Sequence, residues 1–235
     1  AYTDAVGNDN TSDTFTWIYD ASPPSMTISA KKVNGTNVPS GSTTADSTLS
    51  LTFSSSKPTS NFAVGDITCS AGQNSISSFA STSSTVYTAI FTPPASGTYT
   101  FDVAQATFTD AIGNNNSAAS TFTFTYDGTG PGMPITVADL NDNNVAPDGF
   151  TNATNFTVLF VSSEATTNFI SNDISLTNGT LTSFTQDTTS SYNAAFAATA
   201  VGSCSIHVPG GSYTDAYGNN NIVSTITFSS DSTPV

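Results

Sequence analysis

The stretch Tyr213-Thr-Asp-Ala-Tyr-Gly-Asn-Asn-Asn221 occurs three times in this chain with small changes. The earlier copies read Tyr2-Thr-Asp-Ala-Val-Gly-Asn-Asp-Asn10 and Phe108-Thr-Asp-Ala-Ile-Gly-Asn-Asn-Asn116. Their first aspartates, at positions 4, 110 and 215, lie 106 and 105 residues apart. That period fits one β-sandwich domain and is too long for a solenoid repeat. The sequence therefore predicts a tandem array of β-sandwich domains.

Each copy is followed by a short stretch of alternating apolar residues, at 14–19, 121–126 and 225–228. An aspartate and a proline come next, and these pairs are Asp20 and Pro23, Asp127 and Pro131, and Asp231 and Pro234. Proline ends a strand ladder because it has no amide proton to donate. We therefore predict that residues 1–20 are the terminal strands of a preceding or partner repeat. Residues 21–127 are then the first repeat, and residues 128–235 the second repeat with the start of a next one.

Matched positions of the two repeats alternate between apolar and polar residues, which is typical of half-buried β-strands. In the first repeat the apolar positions are Leu49, Leu51, Phe53, Tyr87, Ala89, Phe91, Tyr99, Phe101 and Val103. In the second they are Phe156, Val158, Phe160, Tyr192, Ala194, Phe196, Cys204, Ile206 and Val208. We predict that these side chains form the cores, in about seven short strands per repeat arranged as two antiparallel sheets.

Five motifs follow one another along the first repeat, and all but the first of them recur in the second repeat or at its ends. They are Thr-Leu-Ser-Leu-Thr-Phe-Ser, Asn-Phe-x-x-x-Asp-Ile, Tyr-x-Ala-x-Phe, Thr-Asp-Ala-x-Gly-Asn and Asp-x-x-x-Pro. In this order they resemble the bacterial immunoglobulin-like tandem repeats of surface adhesins and extracellular fibres. The resemblance implies an all-β fold of tandem immunoglobulin-like β-sandwich domains, a location outside the cell or at its surface, and calcium between domains. One departure is that Ser56-Lys57 stands where the second repeat has Glu164-Ala165.

The charge of the chain excludes some partners. Its net charge is −14, from 17 acidic residues against Lys31, Lys32 and Lys57. Three lysines cannot form the basic face that nucleic acid requires, so we expect no nucleic-acid partner. The apolar stretches are strand-sized, so we expect no membrane insertion. Sixteen of the acids are aspartates, largely beside Asn and Gly in predicted loops, where short carboxylates suit calcium but also form ordinary turns.

The predicted topology places the loop before each final strand beside the start of the same repeat. The candidate calcium ligands at the first such junction are Asp20, Asp110 and Asn114, and those at the second are Asp127, Asp215 and Asn219. At the opposite end of the second repeat, Asp139 and Asp142 are expected to approach Asp231. The alternative is that these residues only form Asx-turns and tight hairpins.

Six sequons could carry glycans if the chain is exported by a host that glycosylates. Their asparagines are Asn10, Asn34, Asn115, Asn152, Asn155 and Asn178. In a chain so rich in Asn, Ser and Thr, sequons also arise by chance.

No pattern in the sequence indicates catalysis. His207 is predicted on an outward strand position without a nucleophile motif around it, and Glu164 has no second acid placed for a glycosidase pair. Cys69 and Cys204 fall on apolar strand positions in different repeats, so they are predicted to be buried thiols. We therefore expect no enzyme.

Residues 1–20 repeat the end of a domain without its beginning, and their apolar residues Phe15, Trp17 and Tyr19 need a partner. Two explanations remain open: a window of a longer tandem polypeptide, or strand donation between separate subunits. Both predict a structural element of an extracellular fibre or adhesin stalk that joins copies of itself or adjacent repeats end to end. The alternative is a carbohydrate- or protein-binding adhesion module, for which Tyr217 is the one aromatic residue in a suitable loop. An accessory domain of a secreted hydrolase is a third possibility.

Overall fold

The computed structural model describes residues 2–233. Ala1, Pro234 and Val235 lie outside the described residues, so the last two positions of the predicted start of a next repeat, residues 232–235, fall outside them as well. Residues 2–233 contain no helix with the length and apolar character needed to cross a bilayer.

The first repeat contains nine strands and two single-turn 3-10 helices, Val64–Asp66 and Gln73–Ser75. In chain order the strands are β1 (Met26–Lys32), β2 (Asn37–Val38), β3 (Ser42–Thr44), β4 (Leu49–Ser55), β5 (Ile67–Cys69), β6 (Ile76–Ser81), β7 (Val86–Phe91), β8 (Gly97–Val103) and β9 (Phe122–Tyr126). They form one sheet in the order β2-β1-β4-β7-β6 and a second in the order β3-β9-β8-β5. All pairs are antiparallel except β3 with β9, which is parallel.

The second repeat has the same architecture, with one 3-10 helix at Ser171–Asp173. Its strands are β10 (Ile135–Asp139), β11 (Asn144–Val145), β12 (Phe150–Thr151), β13 (Asn155–Val161), β14 (Ser175–Thr177), β15 (Gly179–Thr188), β16 (Ser191–Ala198), β17 (Gly202–Val208) and β18 (Ser224–Ser230). The sheet orders are β11-β10-β13-β16-β15 and β12-β18-β17-β14, with β12 and β18 parallel. Each repeat is therefore a sandwich of two sheets.

Each sandwich has its own core, formed by the inward residues of the alternating strands. All eighteen predicted core residues are buried, which confirms the alternation pattern. Aromatic rings connect the two sheets: Phe91 on β7 packs 4.8 Å from Phe101 on β8, and Phe156 on β13 lies 5.0 Å from Phe228 on β18. Edge-to-face rings of this kind add to the burial of apolar area.

The prediction of about seven strands per repeat was too low. The extra strands include β2 and β3 in the first repeat and β11 and β12 in the second, which have only two or three residues each. Two or three residues cannot display an alternating pattern, so these edge strands leave no periodic signal.

Residues 2–20 contain a hairpin but no strand of a sheet. A bridge joins Thr3 to Asp9, just as Thr109 is bridged to Asn115 and Thr214 to Asn220. Residues 11–20, which we expected to form a final strand, are in no ladder. Phe15, Trp17 and Tyr19 are 89%, 71% and 77% exposed. A strand needs a hydrogen-bonded neighbour, and among residues 2–233 both final-strand positions are already taken by β9 and β18.

Candidate metal centre

Each of the three nine-residue stretches forms a loop that we call the end hairpin: residues 2–10, 108–116 and 213–221. In the first repeat, Asp110 Oδ1 accepts hydrogen bonds from the backbone N–H groups of Ile112 at 3.1 Å and Asn114 at 2.9 Å. Gly113 adopts φ +96°, a left-handed conformation that favours glycine. The Asp-x-x-Gly-Asn spacing therefore forms a self-supported turn whose carboxylate is held in place.

The end hairpin of each repeat holds the linker that begins the same repeat. Asn114 Nδ2 donates to the carbonyl oxygen of Asp20 at 3.0 Å and to Asp110 Oδ2 at 2.9 Å. In the second repeat, Asn219 Nδ2 donates to the carbonyl oxygen of Asp127 at 3.0 Å. The predicted meeting of end hairpin and linker is therefore confirmed at both places, which we call the first junction (residues 20–24 with 108–116) and the second junction (residues 127–131 with 213–221).

At the first junction, a lysine occupies the position where we expected calcium. Lys57 Nζ lies 2.7 Å from Asp20 Oδ2 and 3.4 Å from Asp110 Oδ2, and it also donates to the carbonyl oxygen of Ser22. The hydrogen bond that Lys57 donates to Asp20 lowers the pKa of Asp20 to about 2, and the same bond raises the pKa of Lys57. The Lys57 ammonium group lies beside both carboxylates and offsets one of their two negative charges, so the structure does not support the prediction that Asp20, Asp110 and Asn114 hold a metal.

At the second junction, three carboxylates meet without a lysine. Oxygens of Asp127, Glu164 and Asp215 all lie within 4.8 Å of one another, and no other group of three potential ligands forms among residues 2–233. Asp215 is buried, and the other two are half-buried. Burial raises the pKa of Glu164, and the charges of Asp127 and Asp215 raise it further. Asp127, Asp215 and Asn219 were predicted here, whereas Glu164 was not.

Glu164 was missed because the alignment of the repeats in the sequence was one residue out of register. Tyr87 donates its hydroxyl proton to the carbonyl oxygen of Thr59, and Tyr192 does the same to Thr166. These equivalent bonds place Glu164 opposite Lys57, and not opposite Ser56. The signal was present in the sequence, since the Thr-x-Asn-Phe stretches that begin at residues 59 and 166 fix this register.

A buried hydroxyl group also distinguishes the second junction. Tyr213 is 1% exposed, and its hydroxyl has no hydrogen-bond partner among residues 2–233. The equivalent residue in the first repeat is Phe108, which has no hydroxyl. Burial raises the pKa of Tyr213, the neighbouring Ser162 hydroxyl lowers it, and smaller contributions from Tyr192 and Glu164 raise it. The surroundings of this hydroxyl therefore include Ser162 and Glu164.

At the opposite end of the second repeat, the predicted calcium ligands are held separately. Asp139 accepts hydrogen bonds from the backbone N–H groups of Asn141 at 2.8 Å and Asn143 at 3.0 Å. Asp142 adopts φ +62° within the same turn, and Asp231 accepts from Thr233 N–H at 3.0 Å. These bonds correspond to the Asx-turn alternative, and no three-carboxylate group forms here among residues 2–233.

Comparison with known proteins identifies the repeats. The model of the bacterial Ig-like domain matches the chain twice, over residues 20–126 and 127–232. The chain belongs to the bacterial Ig-like domain family. No curated protein shows significant sequence similarity to this member of the family.

Several solved structures are similar to these bacterial Ig-like domains at low sequence identity. The C-terminal domain of the AgI/II polypeptide BspA of Streptococcus agalactiae is 10% identical, with 88% of this chain and 100% of that chain covered and a TM-score of 0.44. InvD of Yersinia pseudotuberculosis is 17% identical, with coverages of 92% and 62% and a TM-score of 0.34. The adhesin InvE of the same species is 14% identical, with coverages of 87% and 58% and a TM-score of 0.30.

The sequons of the bacterial Ig-like domains differ in accessibility. Asn34, Asn115, Asn152 and Asn155 are exposed. Asn10 and Asn178 are half-buried, and their amides are engaged: Asn10 Nδ2 donates to the carbonyl oxygen of Thr11, and Asn178 Nδ2 to that of Ala200.

The remaining candidate residues of these domains lie where the sequence placed them. Cys69 and Cys204 are buried free thiols, one in each core. His207 faces outward on β17, with Nδ1 2.7 Å from Thr225 Oγ1. Tyr217 is 48% exposed at the tip of its end hairpin.

Proposed function

We propose that this chain is a structural segment of an extracellular fibre or adhesin stalk in which bacterial Ig-like domains are joined end to end. The observation that carries the proposal is the repeated junction. In both repeats the linker runs directly from the preceding final stretch and is held by an asparagine of the end hairpin, with the same 3.0 Å bond to an aspartate carbonyl oxygen. A joint that is repeated in this way serves a chain of domains in series.

The end hairpin nearest the N-terminus, residues 2–10, supports the same function. Residues 2–10 form the bridged hairpin of a repeat, and residues 11–20 lead from it into the first junction. The exposed Phe15 and Trp17 correspond to Phe122 and Phe124, which are buried in the first repeat. A further repeat, or a partner copy, that packs against residues 11–20 would extend the series in the N-terminal direction.

A location outside the cell agrees with the family, because bacterial Ig-like domains are typical of surface and extracellular proteins. The role is mechanical, and the Thr- and Ser-rich outer faces of the sheets remain available for solvation, for sugar or for lateral packing. No step of this function requires catalysis.

Antibody labelling of the source cells tests the location. An antibody raised against residues 21–233 is expected to label intact cells, and protease added outside the cells is expected to remove the signal. An antibody against a cytoplasmic protein of the same cells is the matched control. Labelling that requires permeabilised cells would contradict the proposal.

Single-molecule pulling tests the mechanical arrangement. With handles at the two ends of the chain, we expect two separate unfolding events. Each should lengthen the chain by roughly 300 Å, since an extended residue spans about 3.3–3.6 Å. One smooth extension without two events would contradict domains that bear load in series.

We also propose that, if the source cell glycosylates exported proteins, glycans are attached at the exposed sequons. The four exposed asparagines, Asn34, Asn115, Asn152 and Asn155, are expected to be occupied before Asn178, which is half-buried and whose amide nitrogen donates to the Ala200 carbonyl oxygen and to Cys204 Sγ. Peptide mass spectrometry before and after enzymatic deglycosylation measures occupancy at each position. An intact mass equal to that of the bare polypeptide would contradict this proposal.

A further inference from the structure

A force on the two ends of the chain crosses each repeat between its first strand and its final strand. In the first repeat, β1 starts beside the end hairpin, where the N–H group of Ser117 donates to the Pro24 carbonyl oxygen at 2.9 Å. The final strand β9 ends at the other end of the sandwich, where Tyr126 faces Gly97. The strands β10 and β18 have the same arrangement in the second repeat. Pulling therefore draws the first and final strands along their own axes.

Strands that are pulled along their axes resist through the whole ladder. In antiparallel pairs the N–H···O bonds run across the strands, so a pull along the strand loads all of them at once. The first strand must slide past β4 or β13 before its repeat opens. Forced unfolding is governed by the unfolding rate, so the bonds that hold this strand help to decide how long a repeat survives a load.

The ladder of the first strand is shorter in the second repeat. The strand β1 has seven residues, all paired with β4, whereas β10 has five, all paired with β13. Because Ile28 and Ile135 face equivalent phenylalanines, Pro134 occupies the position of Thr27. Pro134 accepts a hydrogen bond from the Val161 N–H group at 3.1 Å but has no N–H group with which to return it. The ladder is therefore shortened at the end where the force enters.

The linker before the first strand is also held differently in the two repeats. The Lys57 ammonium group lies 2.7 Å from Asp20 Oδ2 and 3.4 Å from Asp110 Oδ2, and it donates to the Ser22 carbonyl oxygen. Lys57 thus connects the linker, the end hairpin and the segment after β4. The equivalent residue of the second repeat is Glu164, and no salt bridge is recorded at the second junction among residues 2–233.

The other attachments of the two repeats are alike or favour the second repeat. The Ser56 N–H group donates to the Ser25 carbonyl oxygen at 2.9 Å, and Ser163 donates to Gly132 at the same distance. The final strand β18 pairs with β17 over seven residues, whereas β9 pairs with β8 over five. The features that weaken the second repeat therefore lie in its first strand and its linker.

We propose that the second repeat unfolds before the first when the chain is stretched, because only the first repeat has both the Lys57 contacts and the longer ladder of its first strand. The chain then lengthens in two stages, and the first repeat keeps its fold while the second takes up the extension. The inference rests on the end-to-end arrangement of the proposed function and adds to it an order of unfolding.

Single-molecule pulling tests this order once the two repeats differ in length. A flexible stretch of about twenty glycine and serine residues, inserted between Asn34 and Gly35, lengthens the unfolding event of the first repeat by roughly 70 Å. This turn is exposed and lies at the end of the sandwich away from the first junction, where an insertion is tolerated. With EDTA present, so that only the bonds of the chain bear the load, we expect the shorter event first in most molecules.

Four variants identify the residues responsible. Lys57→Met removes the ammonium group and is expected to raise the unfolding rate of the first repeat at constant force by about threefold or more. Glu164→Lys places an ammonium group at the second junction, and Pro134→Thr restores an N–H group to the ladder, so each is expected to slow unfolding of the second repeat. Lys31→Met is the matched control, because it removes the same charge from an exposed position on β1 and should change neither rate.

A reciprocal insertion separates the order of unfolding from any effect of the insertion itself. The same stretch placed in the equivalent turn of the second repeat, between Asn141 and Asp142, should make the longer event come first. Circular dichroism establishes that each variant is folded, and the two insertions test the order even if a substituted chain does not fold.

Two results would overturn the proposal: an order in the two inserted chains that is random or the reverse of that expected, or equal effects of Lys57→Met and Lys31→Met on the first repeat. One smooth extension without two events would instead contradict the serial arrangement on which the proposal rests. Failure of the unfolding order is therefore distinguishable from failure of the stalk function.

Discussion

Asn116 and Asn221 are buried side chains that hydrogen-bond to backbone groups of their end hairpins. Both are 3% exposed, and each side chain is fully engaged. Asn116 Oδ1 accepts from the backbone N–H groups of Thr107 at 2.8 Å and Phe108 at 2.9 Å, while its Nδ2 donates to two backbone carbonyl oxygens. Since buried backbone groups without partners are costly, these asparagines stabilise a loop that has no regular ladder.

Replacement of Asn116 by Ala is expected to reduce the free energy of unfolding of the first repeat by about 3 kcal/mol, because several buried backbone groups lose their partners at once. Asn221→Ala should affect the second repeat similarly. Asn10→Ala, at the equivalent position of the N-terminal hairpin outside both cores, is the matched control and should change neither transition. Urea unfolding monitored by NMR signals of each repeat measures the effect, and equal destabilisation by all three changes would contradict it.

The Lys57–Asp20 pair predicts a pH dependence at the first junction. Lys57 lowers the pKa of Asp20 from its ordinary value of 3.8 to about 2. A carboxylate whose pKa is lower in the folded state contributes stability above its unfolded pKa, and this contribution is lost as pH falls from about 3.8 to about 2. NMR titration of the Asp20 carboxyl carbon is expected to show a midpoint near 2, and in Lys57→Met a midpoint shifted towards 3.8. Identical midpoints in the two proteins would contradict the pairing.

Sequence reasoning located most of the junction residues but not the residue that sets their charge. Asp20, Asp110, Asp127 and Asp215 were predictable because a repeated motif and the sandwich topology place them at one end of each domain. The equivalence of Lys57 and Glu164 was available from the shared Thr-x-Asn-Phe stretches, but their contact with the junction aspartates was not, since it depends on how far a long side chain reaches. Contact between side chains is a tertiary property, and alternation along a strand carries no information about it.

At the level of secondary structure, the sequence defined the long strands and not the short ones. Strands of five or more residues, such as β4 and β13, alternate over enough positions to reveal both their length and their buried face. The short edge strands β3 and β12 form because they lie beside the final strands β9 and β18 in parallel. That pairing depends on the fold around the two strands, so no local sequence pattern predicts it.

The second linker passes very close to the backbone of its end hairpin. A Cβ atom at Gly130 would lie 2.0 Å from the carbonyl oxygen of Asn220, which no real side chain tolerates. Gly130 therefore lets the second linker pass directly against its end hairpin. The same linker is also held by the bond from Asn219 Nδ2 to the Asp127 carbonyl oxygen.

Gly130→Ala is expected to displace the second linker and to destabilise the second repeat by roughly 1–3 kcal/mol, the usual cost of forcing an extra methyl group into a filled space. Gly132→Ala is the matched control, because its nearest neighbour would be Ile222 Cδ1 at 3.5 Å, an ordinary contact. Thermal melting of both variants measures the difference. If the two variants melt alike, close passage of the linker does not stabilise this junction.

At the scale of the whole molecule, residues 11–20 are the counterpart of a final strand, without a sandwich to pair with. Their equivalents in the first repeat, residues 122–126, form β9, which pairs with β8 and β3. The exposed Phe15, Trp17 and Tyr19 would be covered by the same kind of partner. The proposed series of domains therefore needs the early strands of another repeat at this end.

An extended chain, in which a second copy of residues 21–107 is placed directly before Tyr2, contains such a partner. Hydrogen exchange of residues 14–19 is expected to be fast in the original chain and slow in the extended one, because the segment joins a ladder as β9 does. Trp17→Asp in the extended chain places a charge at a core position and should restore fast exchange. Fast exchange in the extended chain without this substitution would show that the segment does not complete a sandwich.

Cys69 and Cys204 each report the opening of one repeat. Each thiol is buried in a different core and neither forms a disulfide, so an alkylating reagent reaches it only when that domain opens. The rate at which each cysteine is modified thus times the opening of one domain while its neighbour stays closed. A load that reaches both domains would raise the modification rates of both cysteines together. Weakening of a single joint would raise the modification rate of only one.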